Sequence, residues 1–263
     1  MKGLAIIGCG AIGGIIAKAV DDGLIEAELL YLFDVDCQKA ERLVASLRRQ
    51  KPRVASSVIE VAEDPRIDTV VEAASQEAVT RYAEQLLKAG KELVVLSVGA
   101  LLKTEIKPLL DKYWSRIHVP SGALAGFDAV KALALVGVDR IELTTRKHPS
   151  KLSDTPYVKS RGLDLNSLEK PTLIFEGTAT EAVEAFPHSL NVAAALALVS
   201  NAPVHVKVIA DPRAERNIHE VMVHSKASTL LIKVENVPHP DNPRTSYLAA
   251  LSTISLLRDL CGR

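Results

Sequence analysis

Cysteine is scarce in this chain: Cys9, Cys37 and Cys261 are the only three in 263 residues. They are far apart, odd in number and lack the spacing of a disulfide framework or metal site, which fits a reducing compartment and predicts no bound metal. Cys9, inside a glycine turn, reads as a space-filling residue rather than a reactive one. An excess of charge is missing too. Lysine plus arginine equals aspartate plus glutamate, 32 of each, so the formal net charge is zero. Nothing global draws the chain to nucleic acid or an anionic membrane, and any attraction for anions must be local. Long hydrophobic runs are also absent. No stretch is long enough to cross a bilayer, and glycines break the first apolar run too early for a signal peptide. These absences predict a soluble, cytoplasmic protein with no nucleic-acid or membrane partner. With 48% hydrophobic and 24% charged residues, the composition is globular, and the length suits one large domain or two ordinary ones.

What is present begins at once. Residues 3–20 read GLAIIGCGAIGGIIAKAV: an apolar strand, a glycine turn, then a helix of small residues. Gly8, Gly10 and Gly13 stand in the register G-x-G-x-x-G. Gly8 permits the tight turn, Gly10 lets backbone approach a pyrophosphate, and Gly13 lets the helix lie close to the sheet. Phosphates would then sit where the first helical amides and the helix dipole favour negative charge. Asp34 follows Gly10 by 24 residues at the end of a second apolar segment, near the roughly 20 expected of a ribose-binding carboxylate. A carboxylate accepts from two ribose hydroxyls and repels a 2′-phosphate, so NAD is expected, with NADP as the alternative. Asp36 is explained as a helix N-cap.

Strands and helices then alternate. Strands are expected near 28–33, 53–55, 68–74, 92–97 and 117–119, with helices near 37–50, after Ser57, at 75–89 and at 103–115. Near-continuous apolar strands joined by helices imply a parallel sheet covered on both faces, with ligands at the carboxyl ends of the strands. Ala73–Ser75 and Ser97–Gly99 therefore fall beside the glycine turn, making Ala74 and Ser97 cofactor candidates along with Gly8, Gly10, Ala11, Ile12, Gly13 and Asp34. After Pro120 the character changes. Small residues at 121–126 mark the crossing into a second domain and open a helix reaching about Leu135. Strands are expected at 139–147, 172–177, 204–209, 217–225 and 229–237, the last two as a hairpin. Residues 149–171 read as a loop, 191–199 as an alanine-rich helix, and 238–243 as a stiff linker into a helix at 245–260. The fold class is α/β: a doubly wound Rossmann sheet, a second mixed or antiparallel α+β domain, and a last helix returning to the first domain. The expected domains are 1–120, with 241–263 packing back on it, and 121–240, which would bind substrate, carry catalysis and dimerise.

The chain resembles the L-aspartate dehydrogenase family, a resemblance that becomes specific in this second half. The matching pieces are GCGAIG at 8–13, EAASQEAV at 72–79, SVGAL at 97–101, PSGALAGFDA at 120–129 and TTRKHP at 144–149. FEGTATEA at 175–182, LNVAAALAL at 190–198, ADPRAERNIHE at 210–220 and NPRTSYLAAL at 242–251 extend the match over almost the whole chain. The resemblance implies reversible, NAD(P)-dependent oxidative deamination of L-aspartate to iminoaspartate or oxaloacetate plus ammonia, feeding NAD biosynthesis in several members. It implies a homodimer, His219 of N-I-H-E as the catalytic residue, and Ala123 and Asn191 as cofactor-binding residues. His148 departs from the pattern, where a second proline is expected.

The residues support these roles in part. Histidine suits proton transfer near neutral pH, and general acid–base help is worth about 10²–10⁴-fold. Without the resemblance seven histidines compete, and one in the strand pattern around His219 is more often simply packed. His188, near Asn191, is the rival and reads as a loop residue; His118 reads as a core or boundary residue. A dicarboxylate substrate needs cationic donors. Arg146 and Lys147 face opposite sides of a strand end, and Lys147 is the candidate for substrate binding against the plainer reading of solvated charges. Asn191 is equally explained as a helix cap. The rival functions are a related reductase of dihydrodipicolinate or homoserine type, and a dinucleotide-binding regulator without catalysis.

Overall fold

The computed structural model describes residues 1–187, 189–240 and 242–262. It divides into two compact units, 1–120 with 250–263 and 121–249. In the first, β1 (Lys2–Ile7), α1 (Ala11–Asp21), β2 (Ala27–Phe33), α2 (Cys37–Ser46), β3 (Arg53–Val54), α3 (Val58–Glu63), β4 (Ile67–Glu72), α4 (Gln76–Lys88), β5 (Glu92–Val95), α5 (Lys107–Tyr113) and β6 (Ile117–His118) alternate along the chain. The strands form one parallel sheet in the order β3-β2-β1-β4-β5-β6, which is the doubly wound Rossmann arrangement expected. The order reverses between β1 and β4, so the turns after these two strands open at one place.

Local chemistry explains where these elements begin. Ser57 and Ser75 cap α3 and α4 by accepting from Glu60 N and Ala78 N, and Asp36 caps α2 by accepting from Gln38 N. Two expected helices are shorter or broken. The segment after Cys37 stops at Ser46 because the buried Asp21 carboxylate takes the amides of Arg48, Arg49 and Gln50 at 2.7–2.8 Å, pulling them out of helical pairing. The segment expected at 103–115 is a series of short 3₁₀ turns around α5, with Pro108 in its first turn.

The second unit holds α6 (Phe127–Ala134), β7 (Val138–Lys147), α7 (Pro156–Ser160), β8 (Thr172–Thr178), α8 (Ala179–Ala185), α9 (Asn191–Ser200), β9 (Val204–Ala210), β10 (Asn217–Ser225), β11 (Thr229–Asn236), β12 (Pro238–His239) and β13 (Asn242–Ser246). Its main sheet runs β11-β10-β7-β9-β8. Only β7 with β9 is a parallel pair among them, so the sheet is mixed. The stretch expected as a linker is instead the β12–β13 pair; Asp241 within it lies outside the described residues. Helix α8 was not expected from the pattern. A capping box starts it: Thr178 accepts from Glu181 N while Glu181 accepts from Thr178 N.

Helix α10 (Tyr247–Cys261) is continuous across the division at residue 250. Its fully buried Leu257 belongs to the core of the first unit with Leu4, Ile6, Ile16 and Leu32, and Ile254, Leu256 and Leu260 pack against that core.

Candidate active site

The first unit carries a cavity of about 470 Å³ at the reversal point, lined by Gly8, Gly10, Asp34, Ala74, Lys39 and Arg81 among others. The glycines have the geometry their roles need. Gly8 has φ +97°, and a Cβ there would lie 2.6 Å from the Ala73 carbonyl oxygen. A Cβ on Gly13 would overlap the Gly8 carbonyl, whereas one on Gly10 would meet nothing within 4 Å. Gly10 is therefore open toward a ligand, while Gly8 and Gly13 make room for backbone. Gly10 is also the N-cap of α1 and supplies no side-chain cap, so the first helical amides, those of Ala11, Ile12 and Gly13, have no side chain capping them. Asp34 is held from behind: Cys9 N donates to Oδ2 at 2.8 Å and Asp36 N to Oδ1 at 2.9 Å. Each oxygen keeps a lone pair for a ribose hydroxyl. Burial, reinforced by Asp34, pushes the Cys9 thiol up to about 12, which makes it inert. These features fit a dinucleotide.

Ser97, a cofactor candidate, has a partner of its own. Its amide and hydroxyl donate to the two oxygens of the buried Glu72 at 2.9 Å, and Ala74 N donates to the same carboxylate at 2.8 Å. Glu72 thus ties the end of β4 to the end of β5. Burial raises its pKa, opposed by these donors. The apolar run before Ala73 gave no sign that its last residue would point inward.

The second unit gathers another constellation. Along β7, Ile141, Leu143, Thr145 and Lys147 are buried while their neighbours are not. Across the antiparallel pairing, Val223, Val221 and His219 stand opposite Ile141, Leu143 and Thr145. One sheet face is thus apolar at one end and polar at the other. His219 is 3% exposed, and its Nδ1 lies 3.0 Å from the hydroxyl of Thr145, itself 0% exposed. Lys147 is 6% exposed and donates to the Ser189 carbonyl at 2.8 Å. No carboxylate among the described residues pairs with it, whereas Arg146, on the other side of the strand, is paired with Asp211 at 3.1 Å. Burial pushes the Lys147 ammonium down to about 8, with the charge of Lys151 adding. Burial likewise pushes the His219 imidazole down to about 3, with the charge of Lys147 adding. A buried cation without a counter-charge among the described residues and a neutral imidazole share this face.

Several of the other sequence candidates carry roles of their own. Ala123 is buried, and its carbonyl accepts from Asn236 Nδ2 at 3.1 Å. Asn191 is the first residue of α9 rather than its cap, which is Leu190. His118 pairs with Glu92 at 2.6 Å and His205 with Glu176 at 2.7 Å. His148 caps a 3₁₀ turn by accepting from Ser150 N, which explains how the loop dispenses with a second proline. His188 lies outside the described residues. Sequence reasoning passed over Thr145, although strand alternation with Lys147 could have placed both on one face.

A parallel sheet with a glycine turn, an uncapped helix start and a strand-end carboxylate around one cavity defines a dinucleotide-binding protein. Comparison narrows the class. The family described as "Aspartate dehydrogenase, C-terminal" matches residues 128–260, and "Homoserine dehydrogenase, NAD binding domain" matches residues 8–114. The chain is 46% identical to an L-aspartate dehydrogenase of Methanosarcina mazei over 99% of its length and 97% of the relative's. It is 38% identical to one of Methanocaldococcus jannaschii, over 99% and 97%. A crystal structure of aspartate dehydrogenase from Thermotoga maritima is similar at a TM-score of 0.75 and 28% identity, covering 100% of this chain and 98% of that one. A putative myo-inositol dehydrogenase of Sinorhizobium meliloti, 15% identical with a TM-score of 0.55 over 99% and 89%, shares the fold. The chain belongs to the L-aspartate dehydrogenase family.

Proposed function

We propose that the protein is an NAD-dependent L-aspartate dehydrogenase. It converts L-aspartate to iminoaspartate with release of one proton, and water then yields oxaloacetate and ammonia; the sequence is reversible. The observation that carries this reading is the buried, uncompensated ammonium of Lys147 on the same sheet face as the neutral imidazole of His219. A buried cation is costly unless paired, and a substrate carboxylate supplies the pair.

Bound NAD would supply the acceptor for the hydride that leaves the α-carbon. Asp34 would accept hydrogen bonds from the adenosine ribose, and the amides at the start of α1 would hold the pyrophosphate. Ala74, Ser97, Ala123 and Asn191 are assigned to the cofactor as well, the last two on the family resemblance. Lys147 orients the substrate by one carboxylate, and His219 acts at the nitrogen or oxygen carried by the reacting carbon. We further propose that the enzyme works in the cytoplasm as a homodimer, which light scattering of the purified protein tests.

Purified protein given NAD and L-aspartate should form NADH, and oxaloacetate with ammonia should consume it. No turnover in either direction from folded protein would discard the activity. His219→Ala should lower kcat by about 10²–10⁴-fold with NAD affinity nearly unchanged. An equal loss of both would reassign this histidine.

A further inference from the structure

We infer that Thr145 is a positioning residue for His219: its hydroxyl donates to Nδ1 and fixes the neutral ring that carries its proton on Nε2. The inference deepens the function above and rests on His219 being its catalytic residue. The two residues are register partners on the antiparallel strands β7 and β10, so the backbone pairing itself sets the approach of hydroxyl and ring. The partner of His219 on the opposite side is Val234 of β11, whose side chain offers no polar atom. Nδ1 is therefore served by Thr145 alone among the described residues.

The direction of the hydrogen bond follows from counting. A threonine hydroxyl has one hydrogen, and among the described residues its only partner here is Nδ1. Were Nδ1 protonated, it would donate to Oγ1, and the threonine hydrogen would be left without an acceptor inside the core. Donation by the hydroxyl avoids that loss. The doubly protonated ring is opposed by burial and by the positive charge of Lys147. A carboxylate in the place of Thr145 would do the reverse, holding a proton on Nδ1 and favouring the imidazolium. The threonine thus makes the ring a neutral donor. Nε2 is not among the buried polar atoms without a partner, so a hydrogen there is not stranded as the threonine's would be; it is available to the electronegative atom on the reacting carbon, where a fixed donor stabilises developing negative charge.

The test uses the full-length protein labelled with ¹⁵N-histidine, whose ring correlations report which nitrogen bears the proton. The expected native spectrum for His219 has Nε2 protonated and Nδ1 bare. Thr145→Val should shift the ring toward the other tautomer and lower kcat about tenfold or more, with KM for NAD changed by less than about twofold. Thr145→Ser, which keeps the hydroxyl, should restore both the tautomer and kcat to within about threefold of native. A proton on Nδ1 in the native protein, or native tautomer and kcat in Thr145→Val, would overturn the inference. His219→Ala measured alongside separates the two readings. If that variant keeps its activity, the catalytic assignment falls, while the native spectrum still decides how the hydroxyl is used.

Discussion

At the scale of single residues, function and stability pull in opposite directions at Lys147. Its ammonium is buried with one carbonyl partner and no counter-charge among the described residues. Lys147→Met keeps the length and removes the charge, so the melting temperature should rise, by an amount worth ~1–3 kcal/mol. The same change should raise KM for L-aspartate about 10²-fold or more, because the carboxylate loses its partner. A variant that is neither more stable nor weaker in substrate binding would show that Lys147 meets no substrate. Asp34 invites the parallel experiment on the cofactor. Lys39, Arg81 and Glu77 line the same cavity, so Asp34→Asn leaves two cations against one carboxylate and removes the strand-end carboxylate expected to repel a 2′-phosphate. The NAD-to-NADP ratio of kcat/KM should fall at least about tenfold, roughly 1.4 kcal/mol; an unchanged ratio would show that Asp34 does not read the ribose.

The same scale shows where the sequence stopped being informative. His219, Lys147 and Asp34 could be named because strand ends and a motif mark them. Thr145 could not, since its partner is 74 positions away, and nothing local states which residue of one strand will stand opposite which residue of the other. Glu72 escaped for a related reason: two of its donors, the amide and hydroxyl of Ser97, come from a different strand end.

At the scale of elements, strands were more legible than helix ends. A parallel strand buried on both faces is a run of apolar residues, and those of the first unit read directly. Helix limits depended on distant groups. The end of α2 is set by Asp21, whose carboxylate takes three amides of the following turn. Burial pushes that carboxyl up, but the three backbone donors outweigh it and hold its pKa below the ordinary range. Asp21→Ala should cost roughly 2–3 kcal/mol in urea unfolding, because the amides lose a buried acceptor together. A loss no larger than that of an ordinary surface substitution would mean that water serves those amides equally well. Helix α8 was missed because it is brief and announced only by Thr178 and Glu181, three apart, within a stretch of small residues.

For the whole molecule, two buried groups of the site add opposite trends to how stability follows pH. The His219 imidazole titrates near 3 in the folded state and near 6.5 in the unfolded chain. The unfolded chain therefore holds the extra proton between those values, and stability should fall as pH drops through that window. Lys147 titrates near 8 when folded and near 10.4 when unfolded. Its burial cost is full below about 8 and is relieved as pH rises toward 10.4, so this group adds stability on the alkaline side. Melting temperatures measured from pH 4 to 10 should show the acid loss in the native protein, and Lys147→Met should lose the alkaline gain. A native curve flat between pH 4 and 6 would mean that His219 is solvated enough to charge in place.

Helix α10 gives the chain an order of assembly. Its first turn belongs with the second unit, and its later turns, through Leu257, complete the core built around β1 and α1. On a ribosome, residues 1–120 emerge long before the piece that finishes their interior. Until α10 is synthesised, the newborn Rossmann half exposes the apolar strip that Leu257 and its neighbours will cover, and a fragment ending at residue 120 should be more prone to aggregate than residues 1–263 together.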